Sequence, residues 1–283
     1  MSGEKELNEI LTKLYDVYLR SAARYETDVV RSIASTRSSV VDLLTEYARK
    51  DGTVNKTRML ALIRDLEAIE KQIRDVAETS LFRALEGSVD AAYADGFAAF
   101  QQALGKSMEF IETARIGQTA IFAPIAGQAA TPKNLATYLA NEVWPQDGLR
   151  LSDRVWNLAG EQREAISGVL RRGILRGDNT STLVREIKGA YDIEAWKARR
   201  LALTEANVAY RTTMGYVAEQ SELVKALKLH PGLKRSEKCV AVSRRDPHGL
   251  GTGVFLPSDT YIYSIHPNCS AYTNFILIDE EER

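Results

Sequence analysis

Cysteine and histidine are scarce in this chain, two and three residues among 283, and four of the five fall in one short stretch: Cys239, His248, His266 and Cys269. Two thiolates and two imidazoles make a ligand set suited to tetrahedral zinc. His266-Pro267-Asn268-Cys269 leaves two residues between its donors, so a tight turn would bring both side chains to one ion. Eight residues intervene between Cys239 and His248, which is not a usual finger spacing, and Asp246 is an alternative ligand there. Four protein ligands would close the site, and a closed site is a structural staple rather than a catalytic metal. The competing assignment makes both cysteines small buried hydrophobes and the histidines surface loop residues. Zinc is therefore the one cofactor to test for, and no other is expected.

Other chemistries find no support. The chain has no Gly-x-Ser-x-Gly nucleophile elbow, no phosphate-binding Gly-x-x-x-x-Gly-Lys-Ser/Thr loop and no His-Glu-x-x-His pair. Gly249-Leu250-Gly251-Thr252-Gly253 is glycine-rich, but no strand–loop–helix context surrounds it, so it reads as a turn. These absences point away from an enzyme.

Charge offers a second kind of chemistry. The formal net charge is -1, but it is unevenly spread. Residues 1–149 hold 17 basic and 21 acidic side chains, residues 150–250 hold 19 and 12, and residues 251–283 hold 1 and 5, so a basic middle lies between acidic ends. The middle carries its cations in pairs: Arg171-Arg172, Arg199-Arg200, Lys234-Arg235 and Arg244-Arg245. Such pairs suit phosphate contacts, which give affinity without sequence specificity. They equally suit an acidic protein partner or a solvated helical face. Glu205 stands five and six residues from Arg200 and Arg199, neither of them i,i+4 geometry, and is expected at the surface or in an interhelical ion pair.

The elements that must position these residues are mostly helices. No proline precedes Pro124, and prolines are badly tolerated inside helices. Leu7, Ile10, Leu11, Leu14 and Val17 fall at helical intervals, continued by Ile33, Val40, Leu44 and Tyr47. After a turn at Asp51-Gly52, Met59, Leu62, Leu66, Ile69, Ile73, Val76 and Ser80 form a heptad-like seam, so residues 1–123 read as long helices built around a hairpin. Residues 124–148, with Pro124 and Gly127, read as a linker or mobile loop. A basic helical block spans 149–230. It starts at a Ser152 N-cap, has a stripe from Val155 to Ile174, a short helix to Gly189, and a long helix from about Glu194 to Ala226. Residues 231–283 form a small β-containing module with strands at Val240-Ala241-Val242, Val254-Phe255-Leu256 and Tyr272–Ile278. The fold class is thus mainly α with a small C-terminal α+β unit. No apolar run approaches the roughly 18 residues that span a bilayer. The charged N-terminus has no signal-type stretch, and two cysteines cannot build a disulfide scaffold, so a reducing cytoplasm is the expected setting.

Three pieces together resemble a known family. They are Leu149–Trp156 followed by Gly173-Ile174-Leu175-Arg176-Gly177; the helix Arg200–Asn207, similar to an Arg-Thr-Glu helix with Leu203 in place of the arginine; and Cys239 with the distant His266-Pro267-Asn268-Cys269. They resemble the minor head, or head morphogenesis, proteins of tailed bacteriophages, over about residues 145–280. Val242 and Ala271 stand where that pattern has further cysteines, and Ser270 where it has arginine. The resemblance implies a structural virion protein near the portal vertex that supports head assembly, DNA packaging or delivery. It implies the portal protein as partner, with scaffold, major capsid protein and packaged DNA as further candidates. No membrane is implied, and the host cytoplasm would be the site of assembly. The alternatives are a zinc-stapled, non-specific DNA-binding module and a divergent enzyme domain of a phage-related toxin.

Overall fold

The computed structural model describes residues 2–105, 131–144, 147–221, 223–233 and 235–278. Lys234 and residues 124–130 of the expected linker, with Pro124 and Gly127, lie outside the described residues, and within the rest of that span Pro132–Asn141 is a helix rather than a loop, its Thr131 side chain accepting the Asn134 N–H. Seven helices appear among those described: α1 Ser2–Ser35, α2 Arg37–Tyr47, α3 Lys56–Leu104, α4 Pro132–Asn141, α5 Leu151–Arg176, α6 Thr180–Gln220 and α7 Glu237–Ser243. Three strands, β1 Val224–His230, β2 Val254–Phe255 and β3 Tyr272–Leu277, form one antiparallel sheet in the order β2-β1-β3. The fold is mainly α with a small C-terminal sheet. None of these helices is long and apolar enough to cross a membrane.

The chain packs as two units. One comprises residues 25–81 and 149–202, the other residues 1–24, 82–148 and 203–283. A division by composition follows chain order, whereas packing does not, because the long helices α1, α3 and α6 each contribute to both units.

In the first unit the helical seam of α3 buries Leu62, Leu66, Ile69 and Ile73, but continues through Ala77 and Leu81 rather than Val76 and Ser80. A straight helix repeats every 3.6 residues, so it drifts off a strict heptad after about two turns. Tyr47 donates to Asp65 across the turn that joins α2 to α3. Helix α5 starts two residues earlier than a Ser152 N-cap would place it: Arg150 is the N-cap, and Asp153, in the first turn, accepts its N–H at 3.0 Å. Gly177 ends it in the left-handed region at φ 85°, where glycine carries no Cβ penalty. Asn179 then caps α6 by accepting the Thr182 N–H at 2.9 Å. Helix α6 passes straight through Gly189, where the sequence suggests a break.

The second unit is organised around the C-terminal half of α6, which is buried on every face from Thr204 to Ala218. A helix buried all round is a core element. On α1 the buried stripe is Leu7, Leu11, Tyr15, Tyr18 and Ala22, while Val17 is 54% exposed. Two tyrosines replace the expected aliphatics because their hydroxyls find partners: Tyr18 reaches Ser88 Oγ at 3.2 Å and Tyr15 reaches the Ala271 carbonyl at 3.3 Å. The open edge of β3 is covered by α1. Asn8 donates to the Phe275 carbonyl at 2.9 Å and accepts its N–H at 3.0 Å, and Glu4 accepts the Leu277 N–H at 3.1 Å. An edge so occupied cannot pair with another chain.

Strand β1 was hidden in the expected helix. Val224–His230 is rich in leucine, alanine and lysine, which favour helix, yet α6 stops at Gln220 and β1 pairs with β3 from Val224 to His230. Conversely, Val240-Ala241-Val242 lies in helix α7 rather than a strand. The Ser236 hydroxyl accepts the Cys239 N–H at 3.2 Å and Glu237 occupies the first turn, and these local caps outweigh the β-branched residues. The other two expected strands are present.

His230, at the end of β1, stacks on Tyr272 with ring centroids 4.9 Å apart. Burial, then the Lys228 charge, lowers its pKa below the ordinary 6.5. The unfolded chain therefore binds the proton more readily, and stability is full above about pH 6.5 and declines as pH falls through that value. His230→Phe is expected to flatten that decline in urea melts between about pH 7 and 5. An unchanged slope would assign the acid sensitivity to other groups.

Candidate metal centre

Three of the four expected ligands converge. Cys239 comes from the first turn of α7, and His266 and Cys269 from the turn before β3. Cys239 Sγ stands 3.2 Å from Cys269 Sγ and 2.8 Å from His266 Nε2. Asn268 makes the tight turn possible by adopting φ 56°, a left-handed conformation that asparagine tolerates better than most residues. The two sulfurs are buried at 2% and 1% residue exposure, so the thiols face the protein interior.

His266 Nδ1 lies 2.8 Å from the Pro267 carbonyl. A carbonyl only accepts, so Nδ1 carries the proton and Nε2 directs its lone pair toward Cys239 and toward Ser236 Oγ, 2.6 Å away. That tautomer is the one a metal requires of a histidine. The two thiols titrate as a pair. The hydrogen bond from Cys239, aided by the Arg211 charge and the Ala271 N–H, lowers the Cys269 pKa. The same hydrogen bond and burial raise that of Cys239. The pair is thus biased toward a thiolate at Cys269, the form that binds metal.

The Cys239–His266–Cys269 group can hold a metal ion. Its donor set, two soft sulfurs and one imidazole nitrogen, suits zinc. Donors around tetrahedral zinc stand roughly 3.4–3.8 Å apart, so these side chains would open by about half an ångström, a small rotamer adjustment.

His248 is not part of the group. Its Nε2 pairs instead with Asp259 at 2.8 Å, and Asp259 also accepts the Leu256 N–H at 2.9 Å. Asp246 is likewise committed, accepting the Gly251 N–H at 3.1 Å. The eight residues between Cys239 and His248 include the rest of α7, which carries His248 into the glycine-rich turn. In that turn Gly249, Gly251 and Gly253 all have positive φ, and it leads from α7 into β2.

The centre is docked on α6. Thr204 Oγ1 accepts the Asn268 N–H at 2.8 Å, and Asn207 Nδ2 donates to the Cys269 carbonyl at 3.1 Å. Arg211, 1% exposed, donates to the carbonyls of Tyr263 at 2.8 Å, Cys269 at 3.0 Å and Ala271 at 3.2 Å. Tyr263 packs directly over Gly215, where an added Cβ would lie 2.1 Å from its hydroxyl oxygen. Sequence reasoning missed Arg211. The available signal was a polar row at spacings of three and four, Thr204, Asn207 and Arg211, along a helix rich in alanine and other apolar residues. Glu205, expected at the surface or in an interhelical ion pair, is 1% exposed, because this part of α6 has no solvent face.

The basic pairs do not gather at the centre. Arg171 and Arg172 are exposed on α5, and Arg199 and Arg200 on α6, in the first unit. Arg199 pairs with Glu26 at 3.4 Å. Arg235, Arg244 and Arg245 are exposed around α7 in the second unit. Comparison of the chain with family models, curated proteins and solved structures finds no match.

Proposed function

We propose that the chain is a structural, non-catalytic protein of the phage minor-head type, and that zinc fastens its C-terminal segment through Cys239, His266 and Cys269. In this reading it acts in the phage head near the portal vertex, with the portal protein as its principal partner. The exposed arginine pairs then meet packaged DNA without sequence preference. One observation carries the proposal. Two of the sequence pieces that carry the resemblance, the helix around Thr204 and the His266–Cys269 turn, meet at a hydrogen bond, and the thiols of Cys239 and Cys269 are buried. Sulfurs so enclosed suit a staple better than a nucleophile, which needs a path for its substrate. Bound zinc would tie together α7 and the turn before β3, which the chain separates by the glycine-rich turn and β2.

The decisive experiment is quantitative mass spectrometry of purified phage particles, counted against the portal protein. A few copies per portal ring is the expected result. Absence from both virions and proheads would sink the minor-head reading.

A further inference from the structure

We infer that Arg211 is the positioning residue of the metal centre: with Thr204 and Asn207 it holds the ligand turn in its metal-ready shape before any ion arrives. The inference rests on the metal reading above and adds to it a residue that ligates nothing. Residues 264–271 contain no helix or strand, so the turn has no ladder of its own to keep His266 and Cys269 aimed at Cys239. Its rigidity comes from the α6 row. Thr204, Asn207 and Arg211 stand at i, i+3 and i+7, on one helix face, and the hydrogen bonds described above run between them and the backbone of this segment. Arg211 binds carbonyls at Tyr263, Cys269 and Ala271, before, at and after the second cysteine. One planar fork thereby fixes the path of the chain on both sides of a ligand. All three acceptors are neutral carbonyls, and the guanidinium is fully enclosed; losing the fork would strip the Tyr263 carbonyl of its Arg211 donor and leave Cys269 and Ala271 to Asn207 and Tyr15 alone. Lysine cannot substitute, since a single ammonium lacks the span of the guanidinium.

The test uses the full chain and zinc alone, with affinity measured by competition against a chromophoric chelator and metal-free thermal stability measured in parallel. Arg211→Met and Arg211→Lys are expected to weaken zinc binding by about 10–100-fold, the range found when groups supporting metal ligands are removed. Leu85→Ala, a buried α3 position, lowers stability for other reasons and is expected to leave affinity within about twofold. If the arginine variants fail to fold, Asn207→Ala removes one hydrogen bond to the same turn and is expected to cost about tenfold. Wild-type binding with the row variants equal to Leu85→Ala would overturn the positioning role and leave the metal centre standing. No zinc binding by the wild-type chain would overturn both.

Discussion

Cys269→Ser is expected to reduce bound zinc from about one equivalent to below about half an equivalent, measured after metal loading and gel filtration. Cys239→Ser should do the same, since both sulfurs belong to the cluster. His248→Ala should retain zinc, because His248 is occupied by Asp259. That third variant separates the three-ligand centre from the four-ligand set suggested by residue types alone. Zinc present at about 1,000 times its Kd stabilises a folded state by about 4 kcal/mol. A chelator should therefore lower the melting temperature of the wild type by on the order of 10 °C. The same chelator should leave Cys269→Ser unmoved. If wild-type protein and Cys269→Ser bind and melt alike, the cysteines are no more than buried core residues.

Gly232→Ala should be the most damaging alanine substitution among the described glycines. Gly232 follows β1 with φ +66°, and a Cβ there would lie 1.8 Å from the Ser270 carbonyl oxygen. The left-handed conformation alone costs about 1–2 kcal/mol in a non-glycine residue. The contact is with backbone, which cannot rotate away, and overpacking of this kind adds about 1–3 kcal/mol. A total near 3 kcal/mol is expected in denaturant melts, together with weaker metal binding, because Ser270 is the neighbour of Cys269. Gly189→Ala is the control of opposite sign. It lies within α6 with nothing within 4 Å of an added Cβ, so it should stabilise by about 0.5–1 kcal/mol. If the two substitutions behave alike, the close approach of Gly232 to the ligand turn is not as described.

The helices were legible because their signals are local. Apolar spacing located α1, α3 and α5, and Gly177 and Asn179 marked the α5–α6 junction. The candidate centre was half legible. His266-Pro267-Asn268-Cys269 announces two donors on one turn, and Cys239 was the only other cysteine. His248 was chosen for its residue type, and chain proximity misled. Nothing within the stretch 239–248 reveals that α7 ends at Ser243 and carries the following loop to Asp259.

By itself, then, the sequence determined a helix-rich chain with a small β-containing end, and a thiol–imidazole turn able to ligate metal. Both follow from propensities and spacings within a few residues. Tertiary structure alone decided that Val224–His230 is a strand, because β3, some fifty residues on, supplies its hydrogen bonds. It also decided that Cys239 joins His266 and Cys269 while His248 does not, and that Arg211 is buried beneath them. Those outcomes depend on which distant groups are brought within about 3 Å, where hydrogen bonds and metal ligation act. Local preference cannot encode that, because the partners are distant in the chain.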